Sequence, residues 1–99
     1  MAKTIPLTHP GKILLEDYLK PMGISQYQLA KAMGVPQIRV SEIVRGKRSI
    51  SPETALRLSR CLGMSDQFWI GLQAEYDMRL ARRESGKDLE KVERLRPAV

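Results

Sequence analysis

Apolar residues recur along this chain at helical spacing, in short bursts punctuated by glycine and proline. Leu15, Tyr18, Leu19 and Met22 fall at i, i+3, i+4 and i+7, which predicts an amphipathic helix that begins near Pro10 and is stopped by Pro21 and Gly23. Ser25 followed by Gln28 is a capping-box pattern, and Leu29, Ala30 and Met33 supply the buried face of a second, short helix before Gly34. Pro36 suits the first position of a third helix, where its missing N–H costs nothing, and that helix is expected to run to Arg45 before Gly46. Ser51, Pro52 and Glu53 repeat the start signal for a fourth, lined by Ala55, Leu58, Ser59 and Leu62 as far as Gly63. Ser65 and Asp66 open a fifth, in which Trp69, Leu72, Tyr76 and Leu80 lie at near-helical spacing.

No segment alternates apolar and polar residues as a strand does, and no repeat of about 20–50 residues is present. The predicted class is therefore all-α: an arm over residues 1–9, a five-helix domain over 10–81 and a mixed-charge tail over 82–99. In the tail Leu89, Val92 and Leu95 form a thin apolar line, a pattern that fits a helix, a frayed segment or one ordered by a partner.

The third helix carries an anomaly. On a wheel at about 100° per residue, Val40, Ile43 and Val44 gather on one side, while Ile38, Ser41, Glu42 and Arg45 gather on the other. Periodicity thus turns Ile38 toward water. Charge supplies a reason: 17 Lys and Arg stand against 11 Asp and Glu, a net +6, which favours an anionic partner. Most of the excess lies between Tyr18 and Pro52, where Lys20, Lys31, Arg39, Arg45, Lys47 and Arg48 face a single acid, Glu42.

Two short helices joined by a tight glycine turn, in a basic chain, have the layout of a helix-turn-helix DNA reader, whose second helix enters the major groove. There the thymine methyl is an apolar target for Ile38, and the Gln37 amide can pair at two points with adenine N6 and N7. Arg39 and Arg45 can reach guanine or phosphate. Lys47, Arg48 and Ser49 lie where the DNA backbone would pass, and Gln26, at the start of the second helix, can present donors to a phosphate. Glu42 has two readings: it accepts from cytosine N4, or it pairs with Arg39 and Arg45 three residues to either side and holds their guanidiniums. The ion-pair reading is favoured.

Other chemistry is sparse. Cys61 is alone, so no intramolecular disulfide forms, and with His9 as the only histidine there is no Cys/His metal cluster and no nucleophile–base pair. Glu16/Asp17 and Glu75/Asp77 are adjacent or two apart on helices and do not face one another across a cleft, so the pattern argues against an enzyme and requires no cofactor. His9 is expected to start the first helix, Cys61 to be buried and Trp69 to sit in the core. Tyr76 and Leu80 are candidates for a two-fold dimer interface, since so short a chain lacks the surface to bury every apolar residue by itself. No apolar stretch approaches the ~18 residues of a membrane span, and the first residues lack a signal-peptide core, so the expected location is cytoplasmic.

The segment SQYQLAKAMGVPQIRVSEIVRGKRSIS resembles the helix-turn-helix of the phage-repressor-type (XRE) family, through its Gln-x-x-Leu-Ala-x-x-x-Gly-Val core and the Ile-x-x-Gly-Lys-Arg that follows. More narrowly, residues 9–80 are similar to the HigA-type (VapI-like) antitoxins, with the His-Pro-Gly start and the Phe-Trp-x-x-Leu-Gln segment as the specific features. The resemblance implies a phage-repressor-like domain that forms a homodimer on a pseudo-palindromic operator in double-stranded DNA at its own promoter. It also implies a small basic toxin as partner, typically a ribosome-dependent mRNA endonuclease of the RelE type. Carried over by position in the motif, the base-reading sites fall on Gln37, Ile38, Ser41 and Glu42, and the phosphate-positioning glutamine on Gln26. A stand-alone repressor with the same DNA surface, and a toxin- or RNA-contacting module without sequence preference, stay open at this point.

Overall fold

The computed structural model describes residues 7–98, and among them the regular elements are five helices without a strand. Most of the expected arm, residues 1–6, and the last residue of the tail lie outside that range. Helix α1 is made of three contiguous segments, Pro10–Ile13, Leu14–Leu19 and Lys20–Met22, the middle one π-helical. α2 spans Gln26–Met33, α3 Gln37–Val44, α4 Pro52–Leu62 and α5 Asp66–Leu89.

The π-helical turn corrects the expected stripe of the first helix. Its wider turn re-phases the side chains, so Leu14 and Leu19, five residues apart, are both buried, while Met22 is 51% exposed. Leu15 and Tyr18 flank the core half-buried. A 3.6-residue period does not describe such a turn, which is why it missed Leu14 and placed Met22 inside.

The starts of the later helices follow their signals. Ser25 and Gln28 form a reciprocal capping box: the Gln28 N–H donates to Ser25 Oγ at 3.0 Å and the Ser25 N–H donates to Gln28 Oε1 at 2.8 Å. Ser51 accepts from the Thr54 N–H with Pro52 in the first turn, and Ser65 accepts from the Phe68 N–H. α3 is shorter by one residue at each end than expected. Pro36 has extended ψ of 144° and is the N-cap instead of the first helical residue. Arg45 leaves helical geometry as the chain tightens toward Gly46, where the Lys47 N–H donates to the Glu42 carbonyl at 2.8 Å.

All five helices feed one core: Leu14 and Leu19, Leu29, Ala30 and Met33, Val40 and Ile43, Ala55 and Leu58, and Trp69, joined by Ile50 from the α3–α4 loop. Trp69 is fully buried, with Tyr18 and Phe68 edge-on to it at ring-centroid distances of 5.3 and 5.0 Å. Cys61 is only half-buried, a correction to the expected burial, because it lies at the margin of an α4 stripe centred on Ala55 and Leu58. α5 runs unbroken past Ala81 to Leu89, but its buried residues, Trp69 and Gln73, belong to its first two turns. Residues 90–98 are exposed. No helix among the described residues is long and apolar enough to cross a membrane.

Candidate nucleic-acid interface

α2, a turn and α3 form the hinged pair. Gly34 takes left-handed φ of +72°, and the Val35 N–H closes back on the Ala30 carbonyl at 3.0 Å, so the chain reverses within three residues. A side chain at that φ is strained, which is why glycine stands there. α4 reinforces the turn: Arg57 Nη1 donates to the Met33 carbonyl at 2.6 Å, satisfying an orphan acceptor at the end of α2 with a positive charge.

α3 is locked from behind. Val40 and Ile43 are each 1% exposed, whereas Ile38 on the far side is 58% exposed with Gln37 beside it. The N-terminus of α1 presses against the end of α3 so closely that a Cβ on Gly11 would lie 1.7 Å from the Ile43 carbonyl oxygen. Only glycine permits that approach. His9 caps the same turn: its Nδ1 accepts from the Gly11 N–H at 2.9 Å, and its ring meets Tyr76 of α5 edge-to-face at 4.9 Å. Burial pushes the His9 pKa below its ordinary value, with the Asp77 carboxylate opposing the shift, which favours the neutral ring that can accept at Nδ1. His-Pro-Gly is thus a clamp that holds the start of α1 on the end of α3 and on α5.

Residues 15–69 match the family model described as Helix-turn-helix. Virulence-associated protein I of Dichelobacter nodosus is 49% identical over 80 residues, which cover 81% of this chain and 74% of that protein. The solved structure of antitoxin GraA superposes with a TM-score of 0.89 at 40% identity, covering 93% of this chain and 100% of that one. Pseudomonas aeruginosa antitoxin HigA, solved with the higBA promoter, superposes with a TM-score of 0.84 at 38% identity, covering 95% and 100%. The chain belongs to the XRE-type helix-turn-helix family, on its HigA-type branch.

Within this helix-turn-helix unit the expected residues divide by what holds them. Gln37, Ile38 and Arg45 are exposed on α3 and its C-cap, with Ser41 half-buried between them. Gln26 is half-buried at the first position of α2, and Lys47, Arg48 and Ser49 are exposed in the loop after α3. The expected pairing of Glu42 with Arg39 and Arg45 does not form. Glu42 Oε1 instead takes Arg48 Nη2 at 2.9 Å, because the turn at Gly46 folds the loop back over α3. Arg39 leans to Glu53 of α4 at 3.8 Å, and Arg45 donates to the Ser41 carbonyl of its own helix at 3.4 Å. Among the described residues no carboxylate pairs with Arg45 or Lys47. Of the dimer candidates, Tyr76 is half-buried against His9 and Leu80 half-buried farther along α5.

One buried polar residue, the glutamine that ends the Phe-Trp-x-x-Leu-Gln segment, is given no role by periodicity or charge. Gln73 is 5% exposed; its Oε1 accepts from the Ile50 N–H at 2.8 Å and its Nε2 donates to Asp77 Oδ1 at 3.0 Å. The signal was a polar residue four positions after Trp69, on the face of α5 that periodicity assigns to the core.

Proposed function

We propose that this protein is a cytoplasmic antitoxin and autorepressor: two copies bind a pseudo-palindromic operator at their own promoter, and the same protein neutralises a small RelE-type mRNA endonuclease. Each protomer lays α3 in a major groove, the half-sites lying about 34–36 Å apart. The observation that carries the reading is the pairing of an exposed Gln37 and Ile38 with a buried Val40 and Ile43 on one short helix, since a face locked from behind can hold base-reading side chains in register. Gln37 reads adenine, Ile38 meets a thymine methyl and Ser41 lies between them. Glu42 acts chiefly through Arg48, holding that guanidinium over α3 in position for a phosphate; Arg45, Lys47, Ser49 and the Gln26 end of α2 meet phosphates beside it. Tyr76 and Leu80 contribute to the two-fold interface. The HigA relative solved with promoter DNA, and the antitoxin names of HigA and GraA, support the reading.

Co-expression tests the antitoxin half. Induction of a small basic reading frame beside this gene should arrest growth, and this chain should relieve the arrest. A well-expressed neighbour that causes no arrest would leave a stand-alone repressor. Selection from random duplexes tests the DNA half, with a pseudo-palindrome matching the upstream region as the expected product.

A further inference from the structure

We infer that Gln73 is a positioning residue for phosphate contact: from α5, outside the hinged pair, it fixes the loop between α3 and α4 that carries Lys47, Arg48 and Ser49. The inference rests on the DNA reading above. Besides the Arg48–Glu42 ion pair, a backbone amide anchors that loop at each end. At its start the Lys47 N–H donates to the Glu42 carbonyl at 2.8 Å. At its end Ile50 is 2% exposed, and its backbone N–H finds its partner in the Gln73 side chain at 2.8 Å. A buried amide without an acceptor is costly, so the bond is obligatory for this loop path.

The anchor is itself held. Gln73 is buried and satisfied at both ends, its Nε2 donating to Asp77 at 3.0 Å. The donor at Ile50 and the carboxylate at Asp77 leave one orientation for the amide, oxygen toward the loop. Asp77 also bears on His9, which sits on Gly11 at the α1–α3 contact. A single turn of α5 therefore fixes the loop after α3 and bears on the histidine that clamps α1 to the end of that helix. The three loop side chains are exposed and of long or polar type, so the gain from meeting a phosphate depends on how well their backbone is held.

The test uses the full chain, a duplex it selects from a random library, and a random-sequence duplex pool of equal length. Gln73→Met keeps the length of the side chain and removes its acceptor. Expected are a loss of about tenfold in affinity for both duplexes, a fall of about one to two in the slope of log affinity against log salt, and an unchanged selected sequence. Amide hydrogen exchange at residues 47–50 of the free protein should quicken. Gln73→Glu alone keeps an acceptor but sets it against the Asp77 carboxylate, whose repulsion draws it off the Ile50 N–H, and should act in the same direction with a smaller effect. Adding Asp77→Asn restores both bonds with the second one reversed, the introduced carboxylate accepting from the Ile50 N–H and from the new amide, and should return the slope and the exchange rates toward the parent's. A residue that merely stabilises the fold would lower the melting temperature and leave the slope of the folded fraction alone. A folded Gln73→Met chain with the parent's slope, or a double variant that restores nothing, overturns the assignment. If Gln73→Met does not fold, the Gln73→Glu chain and the double variant carry the same comparison. A parent chain that selects no duplex overturns the DNA reading and the phosphate role with it; exchange at residues 47–50, independent of DNA, then separates that failure from a loop that Gln73 does not hold.

Discussion

Ile38 on α3 and the trio Leu89, Val92 and Leu95 at the far end of the chain are alike in exposing aliphatic side chains and unlike in what stands behind them. Behind Ile38 lie Val40 and Ile43 in the core, the backbone of Gly11 against the Ile43 carbonyl, and the closed turn at Gly34. Behind the trio lies nothing buried: α5 has left the body before Leu89, and residues 90–98 are exposed throughout. An exposed apolar group serves recognition when the opposite face of its element is fixed, because a base edge must be met to within about half an ångström. Exposure alone distinguishes nothing.

The strongest way to break this contrast is to unlock α3 from behind. Gly11→Ala drives a methyl group into the Ile43 carbonyl, so either α1 withdraws or the end of α3 shifts. A loss of about 3 kcal/mol is expected from such overpacking, read as a marked fall in melting temperature. A Gly11→Ala chain that melts with the parent would mean that α3 is not held by this contact.

Next in size is the exposed side of the same helix. Gln37→Ala and Ile38→Ala should each weaken operator binding by about 1–3 kcal/mol and relax preference at one base pair. Their melting temperatures should stay near the parent's, since both side chains are exposed. Identical selected sequences for parent and variants would remove these two residues from the base-reading set.

A smaller effect comes through pH. Burial depresses the His9 pKa in the folded chain below 6.5, so the unfolded chain takes up the proton more readily. The stability that depends on neutral His9 is full above pH 6.5 and is lost as pH falls through the folded-state value. Melting measured from about pH 7.5 down to about 5.5 should show this decline, and His9→Asn, which keeps a capping acceptor, should flatten it. The same decline in both proteins would assign it to other groups.

The smallest change is expected from the other side of the contrast. Truncation after Leu89 should alter stability by no more than about 0.5 kcal/mol, and operator affinity hardly at all. A large loss of either would show that the tail packs against the body or the DNA in solution.

Much of this architecture was legible in the sequence because its signals are local. The capping residues Ser25, Ser51 and Ser65, the glycines after α2 and α3, and the apolar spacing of α2 through α5 act over a turn or less, and the helices follow them. The exposed Ile38 was legible for the same reason. α1 was misread in part, because a π-helical turn changes the period on which such reading depends. The partner of Glu42 was misread because same-helix neighbours are the only ones that spacing reveals, whereas Arg48 arrives by way of a turn.

By itself, then, the sequence determined an all-helical chain with a basic hinged pair and an aliphatic side chain turned outward from its second helix. Those features depend on neighbours within a few positions and on composition. Tertiary structure alone decided what holds that helix in place: Gly11 against Ile43, Arg57 on the end of α2, and Gln73 on the Ile50 amide. Each joins groups that are distant along the chain and meet only when the helices pack, and no local period or propensity encodes which of them will come within hydrogen-bonding reach.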